Sequence, residues 1–500
     1  MIPVKQILTQ SITAPATSSV KAIRRTKIVA TLGPASSDYE TLRSMIEAGL
    51  NVVRLNFSHG TANDHRHRIE LIRKAATDAG KIIGIIADLQ GPKIRISRFK
   101  NGKVILKNGT EFILDATLAT DAGDEIAVGI DYKELPQDVR VGDTLLLDDG
   151  RLVFGVKKVA DQRIYCEVKV GGELSNNKGI NRQGGGLTAP ALTNKDREDL
   201  KTAVDLQVDY IAISFPRCAA DIEEARMLVK EINGSCGIIA KIERIEAIVP
   251  ETLDNIIKSS DGIMVARGDL AVEIGDAEVP AAQKYMIKRA CDLNKPVITA
   301  TQMLETMIHN VVPTRAEVSD IANAVLDSTD AVMLSAETAS GDYPTIAVGA
   351  MDRICAAAEK HSDKLPLNCR LEDYFGRIDE VISVATMYAA NHMNIKAIIS
   401  LTESGRTTLW ISRIRSGIPI YGMSRHTNTL GKMSLYRDVY PIKFDVTKYS
   451  VIATMKRAAV IELQRLGFVN LGDLVIITCG DHIGVHGMTN SLTILKVGEQ

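Results

Sequence analysis

The chain has 500 residues, 45% of them hydrophobic, and a formal net charge of −1. That length exceeds one ordinary domain and points to about three. The near-zero charge argues against bulk attraction to nucleic acid or an anionic membrane, and no apolar run nears the length of about 18 residues that a spanning helix needs.

The first twenty residues are rich in Ser, Thr, Ala and Gln and lack an apolar signal core, so a disordered tail is expected over 1–21. Short Val/Ile-rich runs then begin, at 27–32, 51–57 and 82–89. Each is bounded by turn or charged residues, as a strand buried on both faces should be, and each of the first two is followed by a helical pattern. His65 and His67 flank Arg66 in the second of those helices and read as surface residues.

After the third run the rhythm breaks. Residues 92–190 carry short alternating strands at 103–107, 144–147, 152–156 and 163–168, with Asn-Gly, Asp-Gly and Gly-Gly turn signals. This predicts a small all-β domain inserted in a βα loop, placed to act as a lid. The strand–helix alternation resumes with runs at 210–215, 238–242, 262–266, 296–300 and 331–334. Eight such units predict a (β/α)₈ barrel over 22–91 and 191–362, with its active site at the C-terminal ends of the strands. Arg54, Asn56, Asp88, Lys241, Glu243, Arg267, Asp269, Thr301 and Glu337 stand there. A linker is expected at 363–368. The region 363–500 reads as a separate α/β domain, with strands at 397–401, 419–421, 439–442, 474–478 and 492–497 and helices at 381–392, 406–413 and 450–466. The seven cysteines form neither a CxxC pair nor a metal-ligand spacing, as in a reduced cytosolic protein.

Three constellations carry chemistry. In Lys241-Ile242-Glu243, residues i and i+2 share a strand face, so both polar groups point into the barrel mouth. Asp269 ends the neighbouring strand. Two carboxylates with positions left for substrate and water suit Mg²⁺, and a lysine beside them suits an enolate or a migrating phosphoryl group. Arg54 and Asn56 share a face by the same alternation; Arg54 suits phosphate, and Asn56, Ser58 and Asp88 are oxygen donors. Gly91-Pro92 marks a hinge where the insert leaves the barrel, with Lys93 and Arg95 beside it.

These motifs lie within longer ordered segments: Arg25-Thr26-Lys27-Ile28-Val29 with Thr31-Leu32-Gly33-Pro34, then 53–60, 91–95, 239–243, 264–270, 299–303 with Glu305, 313–317 and 324–337. Together, and in this order, they resemble pyruvate kinase over about residues 22–500. The resemblance implies a transfer of phosphoryl from phosphoenolpyruvate to ADP, giving pyruvate and ATP, by a cytoplasmic homotetramer. It implies that Arg54 contacts the substrate phosphate and that Lys241 stabilises the transition state and the enolate. Glu243 and Asp269 would hold Mg²⁺ or Mn²⁺, and Gly268 and Thr301 would complete the substrate site. His59, Arg95 and Lys178 would contact the nucleotide. Asn56, Ser58, Asp88 and the Leu89 carbonyl would line a monovalent-cation pocket.

One departure matters. Family members that need K⁺ carry Glu where this chain has Lys93, and a Thr-Lys or similar pair where Leu89-Gln90 stand. The Leu-Gln…Lys pattern resembles the K⁺-independent branch. An ammonium in the cleft supplies the charge that a bound cation would give, so activity without K⁺ is expected while the oxygen-lined pocket is kept.

In the C-terminal domain, Thr402-Glu403-Ser404-Gly405-Arg406-Thr407 follows a strand and opens a helix, as an anion site does. The loop at 480–487 could close over it. The same region in pyruvate kinases holds a phosphorylated effector. This loop resembles bacterial enzymes switched by AMP or sugar monophosphates, with Thr402, Ser404, Gly405, Arg406 and Thr407 at the phosphate. A rival barrel enzyme acting on phosphoenolpyruvate or pyruvate could share the Glu243–Asp269 pair without needing the insert. A sugar-phosphate sensor on a disused barrel would have lost Lys241, Glu243, Asp269 or Thr301, and all four are present.

Overall fold

The computed structural model describes residues 24–361, 374–414, 416–482, 484–485 and 487–499. The tail expected at 1–21 and the linker at 363–368 lie outside them.

Eight parallel strands close into a barrel: Lys27–Leu32, Val52–Asn56, Gly84–Asp88, Tyr210–Ile213, Gly237–Ile242, Gly262–Ala266, Val297–Ala300 and Ala331–Leu334. The first strand pairs with both the second and the eighth, which completes the ring. Seven of the strands are buried along their whole length. Helices cover the outer face, which is why these strands read as unbroken Val/Ile runs rather than alternating ones. In the second strand only Arg54 and Asn56 are half-exposed, at the C-terminal end.

The helices start where side chains can satisfy the first free N–H groups. Thr61 with Asp64, Thr193 with Asp196, and Thr314 with Glu317 form reciprocal capping boxes. Asp196 has a second duty: its Oδ1 accepts from Gly91 N at 3.0 Å. The cap of the helix after the insert therefore also ties down the point where the insert departs.

The insert holds a six-stranded sheet in the order Ile180–Arg182, Thr144–Leu147, Leu152–Ala160, Arg163–Val170, Glu111–Asp115 and Ala127–Gly129. Lys103–Leu106 and Gly172–Ser175 pair separately. Phe112 and Phe154 meet in its core with ring centroids 5.7 Å apart. Four of these strands were not legible in the sequence, since runs of three to five residues carry too little alternation. A single helical turn, Leu135–Asp138, interrupts the otherwise all-β insert.

The C-terminal domain is a five-stranded sheet in the order Val439–Lys443, Ile420–Ser424, Ile395–Leu401, Leu474–Gly480 and Thr489–Lys496, the last strand antiparallel. The helix Thr427–Met433 was also missed. It packs on the closed end of the barrel, where Leu430 and Met433 join Val29, Ile239 and Ile298 in one buried cluster. Ions reinforce the joint. Asp330 takes Arg413 in a two-pronged pair and also accepts from Val297 N and Arg437 N, each at 3.0 Å. Lys27, fully buried, donates to Val439 O and lies 4.2 Å from the centre of the Tyr440 ring.

One expectation is overturned. His65 is buried, 2% exposed, and stacks on Phe57 with centroids 4.1 Å apart. Burial and the Arg68 charge push it down to about 4, so it is neutral in ordinary buffers. Its position had a signal: residues 65, 69, 72 and 76 follow helical spacing, and all four face the core.

Candidate active site

The polar cluster sits where the second, third and fifth barrel strands end. Register sets it: Asn56 pairs with Asp88, and Ala212 pairs with Asp88 from the other side. Arg54 Nε donates to Asp88 Oδ2 at 2.6 Å and Arg54 NH1 to Thr31 Oγ1 at 3.1 Å. Lys241 Nζ lies 3.2 Å from Asp88 Oδ1 and 2.9 Å from Glu243 Oε1, and donates to Ser214 Oγ at 2.7 Å. All three protons of the ammonium are thus directed.

The charges are arranged against the cost of burial. Burial opposes ionisation of Asp88, but Arg54 and Lys241 outweigh it and hold the carboxyl below its usual range. Burial likewise opposes the charge on Lys241, but Asp88 and Glu243 raise its pKa well above the usual lysine value. Glu243 is pushed up to about 7, first by burial and further by Asp269, with Lys241 pulling the other way. Its Oε2 accepts from Phe215 N at 2.9 Å.

Asp269 lies in the first turn of the helix Arg267–Ile274, directly after the sixth strand. Lys93 Nζ approaches its Oδ1 at 3.2 Å. Gly268 N donates to Thr301 Oγ1 at 2.9 Å. Thr301 and Gln302 both have left-handed backbone, φ +67° and +55°. Such backbone is strained in non-glycine residues and concentrates at functional sites. Arg267 holds this turn: it donates to Ala300 O and Thr301 O and pairs with Asp320 at 2.6 Å. Arg267 is therefore a brace behind the site. Glu337 is also a brace, accepting from Leu304 N at 3.1 Å and Ser335 N at 2.6 Å.

The oxygen donors expected around a monovalent cation lie at the same strand ends, and three of them have partners, with Asp88 taking Arg54. Asn56 Oδ1 accepts from Ser58 N at 3.1 Å, and Leu89 O from Ser214 Oγ at 2.7 Å. His59 is exposed at the rim. Arg95 and Lys178 belong to the insert and share an edge, because Arg95 bridges Gly179. Arg95 NH1 donates to Asn177 O at 2.9 Å, and Lys178 pairs with Asp148 at 2.7 Å.

Among the described residues no group of three His, Cys, Asp or Glu side chains converges on a metal position. Glu243 and Asp269 supply two carboxylates, and their mutual repulsion is what a cation would relieve. Mg²⁺ is held in this way, by one or two carboxylates with the remaining positions filled by substrate and water oxygens. The donor set fits it.

In the C-terminal domain, Gly405 has φ +79° and opens the helix Arg406–Arg413, while Thr402 Oγ1 accepts from Gly405 N at 2.9 Å. Thr402, Ser404, Arg406 and Thr407 line a cavity together with His482, Gly484 and Gly487. Glu403 also lines the cavity, with its carboxylate paired to Arg425 and His426.

Residues 23–348 match the family model for the barrel domain of pyruvate kinase, and residues 380–495 match that for its alpha/beta domain. The chain belongs to the pyruvate kinase family. It is 53% identical to pyruvate kinase II of Salmonella typhimurium over 95% of this chain and 99% of that protein. It is 51% identical to the pyruvate kinase of Buchnera aphidicola subsp. Baizongia pistaciae, over 96% of this chain and all of the relative. The Haemophilus influenzae pyruvate kinase is also 51% identical, over 92% of this chain and 96% of that one. The protein is accordingly a phosphotransferase, and the pyruvate kinase reaction, phosphoenolpyruvate and ADP to pyruvate and ATP, is its chemistry.

Two residues of this pyruvate kinase site escaped the sequence reading. Ser214 and Phe215, just after the fourth strand, contact Lys241 and Glu243. A serine at a strand end is an ordinary turn signal, and nothing in its spacing marks it.

Proposed function

We propose that Lys241, Arg54, Glu243, Asp269 and Thr301 divide the work of the transfer among them. The observation that carries this reading is the Lys241 ammonium held between Asp88 and Glu243, on a buried cluster at the barrel mouth. Phosphoryl transfer needs positioning and charge neutralisation more than covalent help. Arg54, already oriented by Asp88 and Thr31, would take the substrate phosphate. Lys241 would neutralise charge on the migrating phosphoryl group and on the enolate oxygen. Gly268 N and Thr301 would hold the substrate, with Thr301 on the face where the enolate is protonated. Mg²⁺ or Mn²⁺, held by Glu243 and Asp269, would supply positive charge against the anionic substrate. The insert would act as the lid, bringing Arg95 and Lys178 to the nucleotide with His59 at the rim and excluding water.

The test of the metal assignment is Asp269→Asn. The Mg²⁺ concentration for half-maximal activity should rise about tenfold or more. An unchanged requirement would remove Asp269 from the metal.

K⁺ is not required on this reading, although Asn56, Ser58, Asp88 and the Leu89 carbonyl remain as a pocket. The support is Lys93, whose ammonium already stands in the cleft beside Asp269. A phosphorylated effector, AMP or a sugar monophosphate, would activate the enzyme from the C-terminal domain. The support is a helix start at Gly405 with Thr402, Ser404, Arg406 and Thr407 lining a cavity beside it. Ribose 5-phosphate or AMP should lower the half-saturating substrate concentration, and Arg406→Ala should abolish that response; an undiminished response would place the effector elsewhere. We read the assembly as a homotetramer, which sedimentation would test. Among the described residues no helix is long and apolar enough to cross a membrane.

A further inference from the structure

We infer that Ser214 is a positioning residue for the transfer, setting the Lys241 ammonium through its hydroxyl. The inference rests on the role proposed for Lys241. Ser214 is 1% exposed and follows directly on the fourth barrel strand. Its single hydroxyl proton goes to Leu89 O at 2.7 Å in preference to Asp88 Oδ1 at 3.5 Å, which leaves the oxygen free to accept from Lys241 at 2.7 Å. The direction of the bond is thereby fixed: Leu89 aims the serine, and the serine aims the lysine.

The need for such an aim follows from the geometry. Lys241 has a long, flexible side chain and three donors. Asp88 and Glu243 take two of them at 3.2 and 2.9 Å. Two carboxylates alone leave the ammonium free to swing about the line between them. The third contact, off that line, removes the freedom. It is also the only neutral acceptor of the three, so it fixes the ammonium without adding negative charge beside it.

The serine itself has little room to move. Gly91 packs on it so closely that a Cβ there would come within 2.6 Å of Ser214 Cβ. The next residue, Phe215, is held at φ +57° and spends its N–H on Glu243 Oε2 at 2.9 Å. One strained turn therefore contacts both Lys241 and Glu243, and backbone strain of this kind persists only where the surroundings over-determine it.

The experiment is steady-state kinetics on the full chain with Ser214→Ala and Ser214→Cys, beside Lys241→Met. The cysteine variant keeps the shape in a slightly larger side chain but accepts an ammonium proton weakly. Both serine variants should lose about 10- to 100-fold in kcat, with the KM for phosphoenolpyruvate within about threefold of wild type and a small fall in Tm as the Leu89 carbonyl and one ammonium proton lose their partner. A kcat within about threefold of wild type in either variant would overturn the inference. So would a loss that appears as raised KM, since that marks a general loosening of the site. Near-normal turnover in Lys241→Met would instead overturn the role of the lysine, whatever the serine variants do.

Discussion

Lys93 and Asp269 join the two walls of the cleft. Lys93 follows the hinge from which the insert departs, Asp269 begins the helix after the sixth strand, and their charged atoms are 3.2 Å apart. The lysine thus stands beside a carboxylate proposed to hold the metal, a partner that its sequence context did not reveal. Lys93→Glu would replace this attraction with two carboxylates facing each other and remove a positive charge from the cleft. The variant should lose activity in K⁺-free buffer and recover it when K⁺ is added. Equal activity in Na⁺-only and K⁺ buffers would show that Lys93 does not stand in for a cation.

The hinge itself is sterically committed. Gly91 has φ +67°, where a side chain is strained, and a Cβ would collide with Ser214. Gly91→Ala should cost about 1–3 kcal/mol of stability and should lower kcat by displacing Ser214 from Lys241. Chemical denaturation and steady-state rates on the same preparation would check both effects.

Two ion pairs should behave very differently. Asp330 is fully buried between barrel and C-terminal domain, holding Arg413 and two backbone amides. Asp330→Ala strands a buried guanidinium and should destabilise by about 3–5 kcal/mol. Arg43 and Glu47 form an exposed i,i+4 pair, so Arg43→Ala should leave stability almost unchanged. Denaturant midpoints of the two variants would rank them; similar shifts would contradict the account of the joint.

Lys27 makes stability depend on pH. Burial, with Arg24 and Arg437 adding to it and Asp438 and Glu359 opposing, lowers its pKa from 10.5 to about 7. Between those values the unfolded chain holds a proton that the folded chain has released. Stability contributed at this position therefore rises as pH rises through that window, and is flat below it where both states are protonated. The unfolding free energy of the wild type should gain relative to Lys27→Met from pH 7 to 9. Parallel curves would mean that Lys27 is not depressed.

Much of this was legible because burial leaves a clear trace. Parallel strands covered on both sides appear as short Val/Ile runs, and all eight were found within two or three residues. Strand alternation alone put Lys241 and Glu243 on one face. What escaped depends on contacts that spacing does not encode. Arg267 stands at a strand end like the site residues, yet its partner Asp320 lies 53 positions away and draws it behind the wall. Glu337 is likewise spent on backbone amides of its own and the preceding loop. Ser214 lies far in sequence from both Leu89 and Lys241, so only closure of the barrel gives it a role. His65 was obscured by the charged residues beside it.

The most direct test of the central claim is pyruvate formation from phosphoenolpyruvate and ADP with Mg²⁺, comparing wild type with Lys241→Met. The wild type should turn over, and the variant should fall by about 100-fold or more with its thermal unfolding unchanged. A variant that keeps near-normal turnover would contradict the assignment of the transition-state charge to Lys241.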